Sequence, residues 1–245
     1  MKILALDSSG LVATVAVMDD DVMVAEYTTC HKKTHSQTLI PMLDEIKRMT
    51  ETDLSTIDAI AVTKGPGSFT GLRIGCATAK GLGLALDCPL LPIPTVDALA
   101  YNMYGSNALI CPIMDARRNQ VYTGLYRFEK RDSGYEMICE LSQCAISIEE
   151  IIEIVNTWEQ DVVFLGDGVP VYKDIIAEQC KVEYVFAPAG LNRQRAGSVA
   201  LLGAQAYKKG EYVSAEAMEP DYLRLSQAER ERMEMEEKQK SGEDK

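Results

Sequence analysis

The sequence is short of histidine, of positive charge and of any long apolar run, and each shortage removes a class of function. Two histidines are present, His31 and His35. Their i, i+4 spacing could set two ring nitrogens on one helical face. Yet Lys32 and Lys33 lie between them, no glutamate accompanies them as in HExxH, and no third ligand is close by. No metal is expected, and no Ser-His-Asp or Cys-His set can be argued from spacing. Lys and Arg number 25 against 37 Asp and Glu, a net charge of −12, so the chain is not built to grip a nucleic-acid backbone broadly, which needs clustered cations. The small basic groups (Lys32 with Lys33, Arg117 with Arg118, Arg193 with Arg195) read as solvated surface. No stretch approaches the ~18 apolar residues of a membrane span. The opening MKILALDSSG has Asp7 inside its apolar run and no small-residue cleavage site, which reads as a first strand and not a signal peptide. Seven cysteines, Cys30, Cys76, Cys88, Cys111, Cys139, Cys144 and Cys180, form no CxxC pair and fit small thiols of a reducing, cytoplasmic setting.

What is present is organised twice over. With 245 residues, 47% of them hydrophobic, the chain can bury one large core or two smaller ones. Residues 2–7, 12–18 and 22–28 read as three adjacent antiparallel strands, the first two joined by the polar turn Ser8-Ser9-Gly10. A helix comes next over 36–49, its stripe Leu39, Met42, Leu43, Ile46 recurring behind a Ser36 cap candidate. Pro41 sits too late for the first turn of a helix that starts at Ser36, which moves the regular helix toward Leu39. A strand over 57–63, a glycine-rich helix over 70–86, a strand over 90–93 and a helix from Val96 complete the first half. The second half repeats the pattern: PIMDARRNQVYTGLY echoes LALDSSGLVATVAV, each with a strand ending in Asp before a polar turn. The first two strands of this half span 109–115 and 121–128, and further strands are expected over 137–146 and 162–165, with helices over 148–158 and near 199–208. Two α/β lobes with mixed sheets are therefore expected, 1–104 and 105–225, the second reduced, followed by a charged tail over 226–245 with seven acids and five bases.

The stretch TKGPGSFTGLRIGCATAKGLG carries the strongest signal. Gly65 to Gly71 fits neither a Walker loop nor a GxGxxG fingerprint, which leaves a tight turn that Ser68 or Thr70 can close as a helix cap. Each interior helical glycine costs roughly 0.8–1 kcal/mol relative to alanine, so Gly71, Gly75, Gly81 and Gly83 need an offset. Gly71, Gly75, Ala79 and Gly83 recur every four residues and form one small-residue stripe. Such a stripe lets another element approach closely, either inside one lobe or from another subunit. Asp7, Ser8 and Ser9, with Asp115 at the matching place in the second half, form a candidate vestigial phosphate loop. Gly166-Asp167-Gly168 reads as a turn or the remnant of a nucleotide-base loop.

With these motifs in place, the chain resembles the bacterial TsaB (YeaZ) family, from Met1 to about Glu231. The resemblance rests on MKILALDSSG, HSQTLIPML, VTKGPGSFTGLRIG and PIMDARRNQVYTGLY, with weaker support from PDYLR. It implies the duplicated actin-like, sugar-kinase-like fold (ASKHA, ribonuclease H-like). It also implies a part in making threonylcarbamoyladenosine next to the anticodon of ANN-decoding tRNAs. The catalytic relative, TsaD, carries a His-Met-Glu-Gly-His metal motif, where this chain has Thr95 and Leu99 in place of both histidines. The resemblance therefore implies a non-catalytic scaffold that needs no cofactor of its own, with room for a nucleotide at a complex interface. TsaD and TsaE are the implied partners, with a homodimer in their absence and tRNA reached only through the complex. The expected partner face comprises Ser36, Leu39, Met42, Leu43 and Ile46 on one helix and Leu72, Gly75, Cys76, Ala79 and Gly83 on the other. The alternatives are an ATP-dependent phosphotransferase using Asp7 and Asp115 and, further off, a metallopeptidase-like protein.

Overall fold

The computed structural model describes residues 1–31 and 34–224; the charged tail expected over 226–245 lies outside the described residues. The first sheet contains β1 (Lys2–Asp7), β2 (Ala13–Asp19), β3 (Val22–Thr29), β4 (Ala59–Gly65) and β5 (Leu90–Pro94), in the order β3-β2-β1-β4-β5. β1 pairs antiparallel with β2 and parallel with β4, which pairs parallel with β5. The second sheet contains β6 (Leu109–Asp115), β7 (Gln120–Arg131), β8 (Gly134–Ser147), β9 (Val162–Leu165) and β10 (Tyr184–Phe186), in the order β10-β9-β6-β7-β8. Taken from the other edge, this is the first sheet's order with the same parallel and antiparallel pairings. The central strands β1 and β6 are covered on both faces, so they are unbroken apolar runs and not alternating ones.

Helices are inserted at matching places. In the first half α1 (Leu39–Thr50) links β3 to β4, α2 (Phe69–Leu86) links β4 to β5, and α3 (Thr95–Tyr101) comes after β5. In the second, α4 (Ile148–Asn156), α5 (Val169–Gln179) and α6 (Ala196–Lys209) take the same positions. This is the duplicated actin-like arrangement, and the second lobe is reduced on its helical side: α4 and α5 have 9 and 11 residues against 12 and 18 in α1 and α2. Sequence patterning does not reveal α5 and β10. β10 is a short edge strand of three residues, two of them exposed, and α5 buries only Val169, Tyr172 and Ile176.

Each lobe's last helix serves the other lobe. Val96, Leu99, Ala100 and Tyr101 of α3 pack with Ile110, Met114, Tyr126 and Phe128 of the second sheet. In return, Ala196, Val199, Ala200 and Ala204 of α6 pack on Ile3, Ala5, Ala16 and Ala61 of the first. α6 is therefore part of the first lobe's core although it falls within 105–225 by sequence. Beyond α6, Val213 pairs with Leu90, and Ala215 and Met218 are buried in the first core, so the chain returns to the first lobe before residues 221–224 reach the cleft between the two.

The expected cap of α1 is corrected by the structure. Ser36 does not cap α1: it is exposed and sits in a single 3-10 turn, His35–Gln37, while the residue before α1 is Thr38, whose side chain makes no capping bond. Pro41 is the physical reason. It has no N–H to donate, so a helix running through it from Ser36 would lose a bond; starting at Leu39 puts Pro41 in the first turn, where N–H groups have no helical partner anyway.

Candidate functional site

The glycine-rich element is built around β4, a turn and α2. Ser68 closes the helix N-terminus by accepting a hydrogen bond from the Gly71 amide at 3.2 Å. The turn before it holds a cis Gly65–Pro66 peptide bond, with Gly65 at φ 129°. The small-residue stripe then meets its partner, and the partner is internal. A β-carbon on Gly71 would collide with the carbonyl oxygen of Ser8; one on Gly75 would lie 2.6 Å from Ser8 Oγ; one on Gly83 would lie 2.9 Å from the Leu90 side chain. Ala79 is fully buried in the first core. The cost of Gly71, Gly75 and Gly83 is thus offset by the approach of α2 to the Ser8 turn and β5 within one lobe, whereas Gly81 has no such neighbour.

This corrects the expected partner face. Of its ten residues, Leu39, Met42, Leu43 and Ile46 on α1 and Leu72, Gly75, Cys76, Ala79 and Gly83 on α2 are buried within the first lobe, and Ser36, before α1, is exposed. Burial also pushes the Cys76 thiol up to about 11, which leaves it inert at neutral pH. The two helices contribute to one core on one face of that sheet, and their opposite sides are open. On α2 the open side carries Arg73, Ala77, Gly81, Leu84 and Ala85. On α1 it carries Ile40, Pro41, Asp44, Lys47, Arg48 and Met49. Ile40, Met49 and Leu84 are 49%, 67% and 61% exposed, and nothing lies within 4 Å of where a Gly81 β-carbon would be. Sequence spacing could show that α2 has two small-residue stripes, Gly71-Gly75-Ala79-Gly83 and Ala77-Gly81-Ala85; it could not show which one faced the sheet.

The second constellation lies between the lobes, in a cavity of about 570 Å³ lined by residues of both halves and by the final segment 221–224. Ser9 and Gly10 form part of one wall; Asp115, Ala116, Arg117 and Asp167 form part of the other. The structure thus brings the two Asp-ended turns to one cleft, with different contents. In the first, Asp7, Ser8 and Ser9 are at most 1% exposed. Ser8 Oγ donates to the Gly71 carbonyl at 2.9 Å, Ser9 N donates to Asp7 Oδ1 at 2.7 Å, and Ser68 N donates to the Ser9 carbonyl at 2.6 Å. Ser8 Oγ and the Ser9 carbonyl are thus engaged by α2 and its turn. Asp7 Oδ2 and Ser9 Oγ have no hydrogen-bond partner among the described residues. Burial pushes the Asp7 carboxyl above the usual range, against the pull of its hydrogen bond from Ser9.

In the second turn Asp115 is only half-buried. Its Oδ1 accepts from the Arg117 amide at 2.8 Å and from the Tyr172 hydroxyl at 3.1 Å. Burial and the neighbouring Asp115 push the Tyr172 phenol up to about 12. Asp167, in the Gly166-Asp167-Gly168 turn after β9, accepts from the Asp115 amide at 3.1 Å, and burial raises its carboxyl. That segment is a structural brace: a β-carbon on Gly166, which stands at φ 115°, would collide with the Ile113 carbonyl.

The histidines do not meet. His31 is exposed, while His35 Nε2 lies 2.9 Å from the Gly10 carbonyl. A carbonyl only accepts, so Nε2 carries a proton and His35 braces the first turn. Thr95 and Leu99 are fully buried, and among the described residues no group of three or more His, Cys, Asp or Glu side chains could hold a metal. Among the described residues no helix is long and apolar enough to cross a membrane.

Two duplicated α/β lobes round a cleft, with each last helix packed on the opposite lobe, define a protein of the actin-like class. The model of the family described as TsaD, tRNA N6-adenosine threonylcarbamoyltransferase, matches residues 24–232. The tRNA threonylcarbamoyladenosine biosynthesis protein TsaB of Bacillus subtilis is 33% identical over 229 residues, covering 94% of this chain and 96% of that protein. The TsaB of Escherichia coli is 30% identical, with 91% and 95% covered. Among solved structures, YeaZ from Pseudomonas aeruginosa superposes with a TM-score of 0.74 at 28% identity, covering 91% of this chain and 99% of that one. The chain belongs to the TsaB (YeaZ) family.

Proposed function

We propose that this chain is the non-catalytic subunit of a tRNA threonylcarbamoyltransferase: it heterodimerises with TsaD, recruits TsaE, and supports transfer of threonylcarbamoyl to N6 of the adenosine next to the anticodon in ANN-decoding tRNAs. The pathway is the one for which its relatives are named. The observation that carries the subunit role is the paired outer face of α1 and α2. It exposes Ile40, Met49 and Leu84 beside a second small-residue stripe, Ala77, Gly81 and Ala85, with open space over Gly81. Two helices so arranged can accept two more helices at close range. The catalytic role is assigned to TsaD because Thr95 and Leu99 are buried and offer no imidazole. No cofactor is assigned to this chain, and its place is the cytoplasm.

The docking face is tested at Gly81. Gly81→Arg projects a long cation from a position with nothing within 4 Å, so folding tolerates it while docking does not. The expected result is loss of co-purification with TsaD and a melting temperature equal to or above that of the parent. Retained co-purification would overturn the face. The function itself is tested by reconstitution with purified TsaD, TsaE and the threonylcarbamoyl-adenylate donor. Activity that does not respond to adding this protein would remove the assignment.

A further inference from the structure

The β6–β7 turn is a run of three left-handed residues, none of them glycine: Arg117, Arg118 and Asn119 stand at φ 61°, 56° and 59°. Glycine would sit there without strain, so the side chains, not the backbone path, account for the choice of residues. The turn is held rigidly. Asp115 Oδ1 accepts the Arg117 amide at 2.8 Å, the Gln120 amide donates to the Arg117 carbonyl at 3.2 Å, and Asn119 Nδ2 donates to both Glu149 carboxylate oxygens at 2.7 and 2.9 Å. Two carboxylates at the turn are therefore engaged by neutral donors of the turn itself. The guanidinium groups of Arg117 and Arg118 are left outward: both residues are exposed, and among the described residues the arginines that form ion pairs are Arg48, Arg127, Arg131 and Arg195.

A third guanidinium joins them from the final segment. Arg224 Nη1 donates to the Ala116 carbonyl at 2.5 Å. The segment that carries it is fixed by stacking of Tyr222 on Phe69 at 4.5 Å and by Arg73 Nε donating to the Tyr222 hydroxyl at 3.1 Å. Arg117 and Arg224 thus line the interlobe cleft, together with Asp115, Asp167 and Asp221, and Arg118 follows Arg117 in the same exposed turn of a chain whose net charge is −12.

We propose that this rim, Arg117 and Arg118 with Arg224 beside them, is a direct contact for the phosphodiester backbone of an RNA strand passing the cleft mouth. Guanidinium forks match phosphate oxygens two at a time, and a turn already fixed loses little freedom on binding. An acidic chain has no general attraction for RNA, so any contact it makes must be local and cationic. A protein partner fits the β6–β7 turn itself less well, because protein interfaces have an apolar centre and no large apolar residue between 112 and 123 is exposed; the exposed apolar residues of the cleft, Leu11 and Tyr222, lie on other segments. The identity of the RNA as tRNA rests on the proposed function; the site itself does not.

The probe is a fluorescently labelled transcript of an ANN-decoding tRNA, titrated by anisotropy at several salt concentrations with the full-length chain alone and with its TsaD complex. Paired Arg117→Gln and Arg118→Gln changes are expected to weaken binding about tenfold at low salt and to lower the log–log salt slope by about two, roughly one per lost phosphate contact. Paired lysine changes keep the slope. Equal affinity and slope in parent and Gln variant, with melting unchanged, would overturn the proposal. So would displacement of the Gln-sensitive binding by ATP at matched ionic strength, which assigns the rim to a nucleotide. Loss of TsaD co-purification with RNA binding by the chain alone intact would also overturn it, by assigning the rim to an acidic protein surface. The arm with the chain alone is independent of docking, so failure of the Gly81 test leaves this one standing.

Discussion

The turn that ends β1 and the turn that ends β6 occupy the same place in two copies of one topology, yet they have become opposites. In the first, the carboxylate and both serines are buried, and the turn is roofed by α2 and its Gly-Pro-Gly approach. In the second, the carboxylate is half-open, and the turn stands proud with two arginines in left-handed conformation. The difference lies in the helix attached to each neighbouring parallel strand. After β4 comes an 18-residue helix whose glycines let it close onto the turn. After β9 comes an 11-residue helix whose Tyr172 hydroxyl reaches Asp115. A duplicated loop keeps its topological position, but whether it stays available to a ligand is decided by the side chains of the helix beside it.

The comparison is broken most severely by filling the approach of α2. In Gly71→Ala the new β-carbon collides with the Ser8 carbonyl, a backbone atom that cannot rotate away. The expected cost is about 3 kcal/mol or more, a fall in melting temperature of roughly 6–12 °C for a chain of this size. A melt lowered by less than about 2 °C would show that α2 does not depend on this contact. The same reasoning redirects substitutions at Gly75 or Ala79: they test the first lobe's core and say nothing about a partner.

Next in size is the buried acid. Because burial raises the Asp7 carboxyl, the unfolded chain loses its proton first as pH rises. The stabilising neutral form is then fully in place below the ordinary carboxylate pKa of about 3.9 and is lost as pH climbs through the raised value. Asp7→Asn keeps an acceptor for the Ser9 amide and removes the charge. Urea unfolding measured from acid to neutral pH should show that the variant gains on the parent as pH rises, at up to about 1.4 kcal/mol per pH unit. Parallel curves for the two proteins would mean that Asp7 is ionised at no cost.

Smaller again is loosening the second turn. Asn119→Ala removes the donor that both Glu149 oxygens share and leaves alanine, which tolerates a left-handed backbone less well than asparagine, at φ 59°. The two effects together should cost about 1–2 kcal/mol, read as a shift in urea midpoint with unchanged slope. A neutral result would mean that the turn is not held by α4.

How much of the fold and site was legible in the sequence depends on the range of each interaction. β6 and β9 were legible to the residue because their apolar runs end in sharp polar turns, and the second half was recognisable from the echo of Asp-ended strands. The cap of α2 was legible as Ser68 or Thr70 because such a bond spans three residues, and the structure gives it to Ser68. The role of Gly71, Gly75 and Gly83 was not, since Ser8 lies 63 residues before Gly71 and spacing shows that a groove exists without showing what fills it. α5 had a usable signal in Gly168 and Pro170 at its start, outweighed by its weak stripe. The left-handed arginines could not be foreseen, because glycine or asparagine is the usual mark of such a turn and Arg117-Arg118 resembles ordinary surface charge.

The smallest expected effect runs in the opposite direction and separates fold from function in that turn. Arg118→Gly places glycine at φ 56°, relieving roughly 1–2 kcal/mol of left-handed strain while giving back part of that through the freer unfolded chain. The net gain should be about 0.5–1 kcal/mol, or roughly 1–4 °C in melting temperature. If the turn is strained only as a by-product of a tight connection, the variant is more stable and otherwise unchanged. If the arginine is held there to meet a phosphate, the same variant is more stable and binds RNA less tightly, with a salt slope lower by about one. Stability and binding moving in opposite directions in a single variant is the outcome that sets this turn apart from the first, where Asp7, Ser8 and Ser9 are buried and none stands at a left-handed φ.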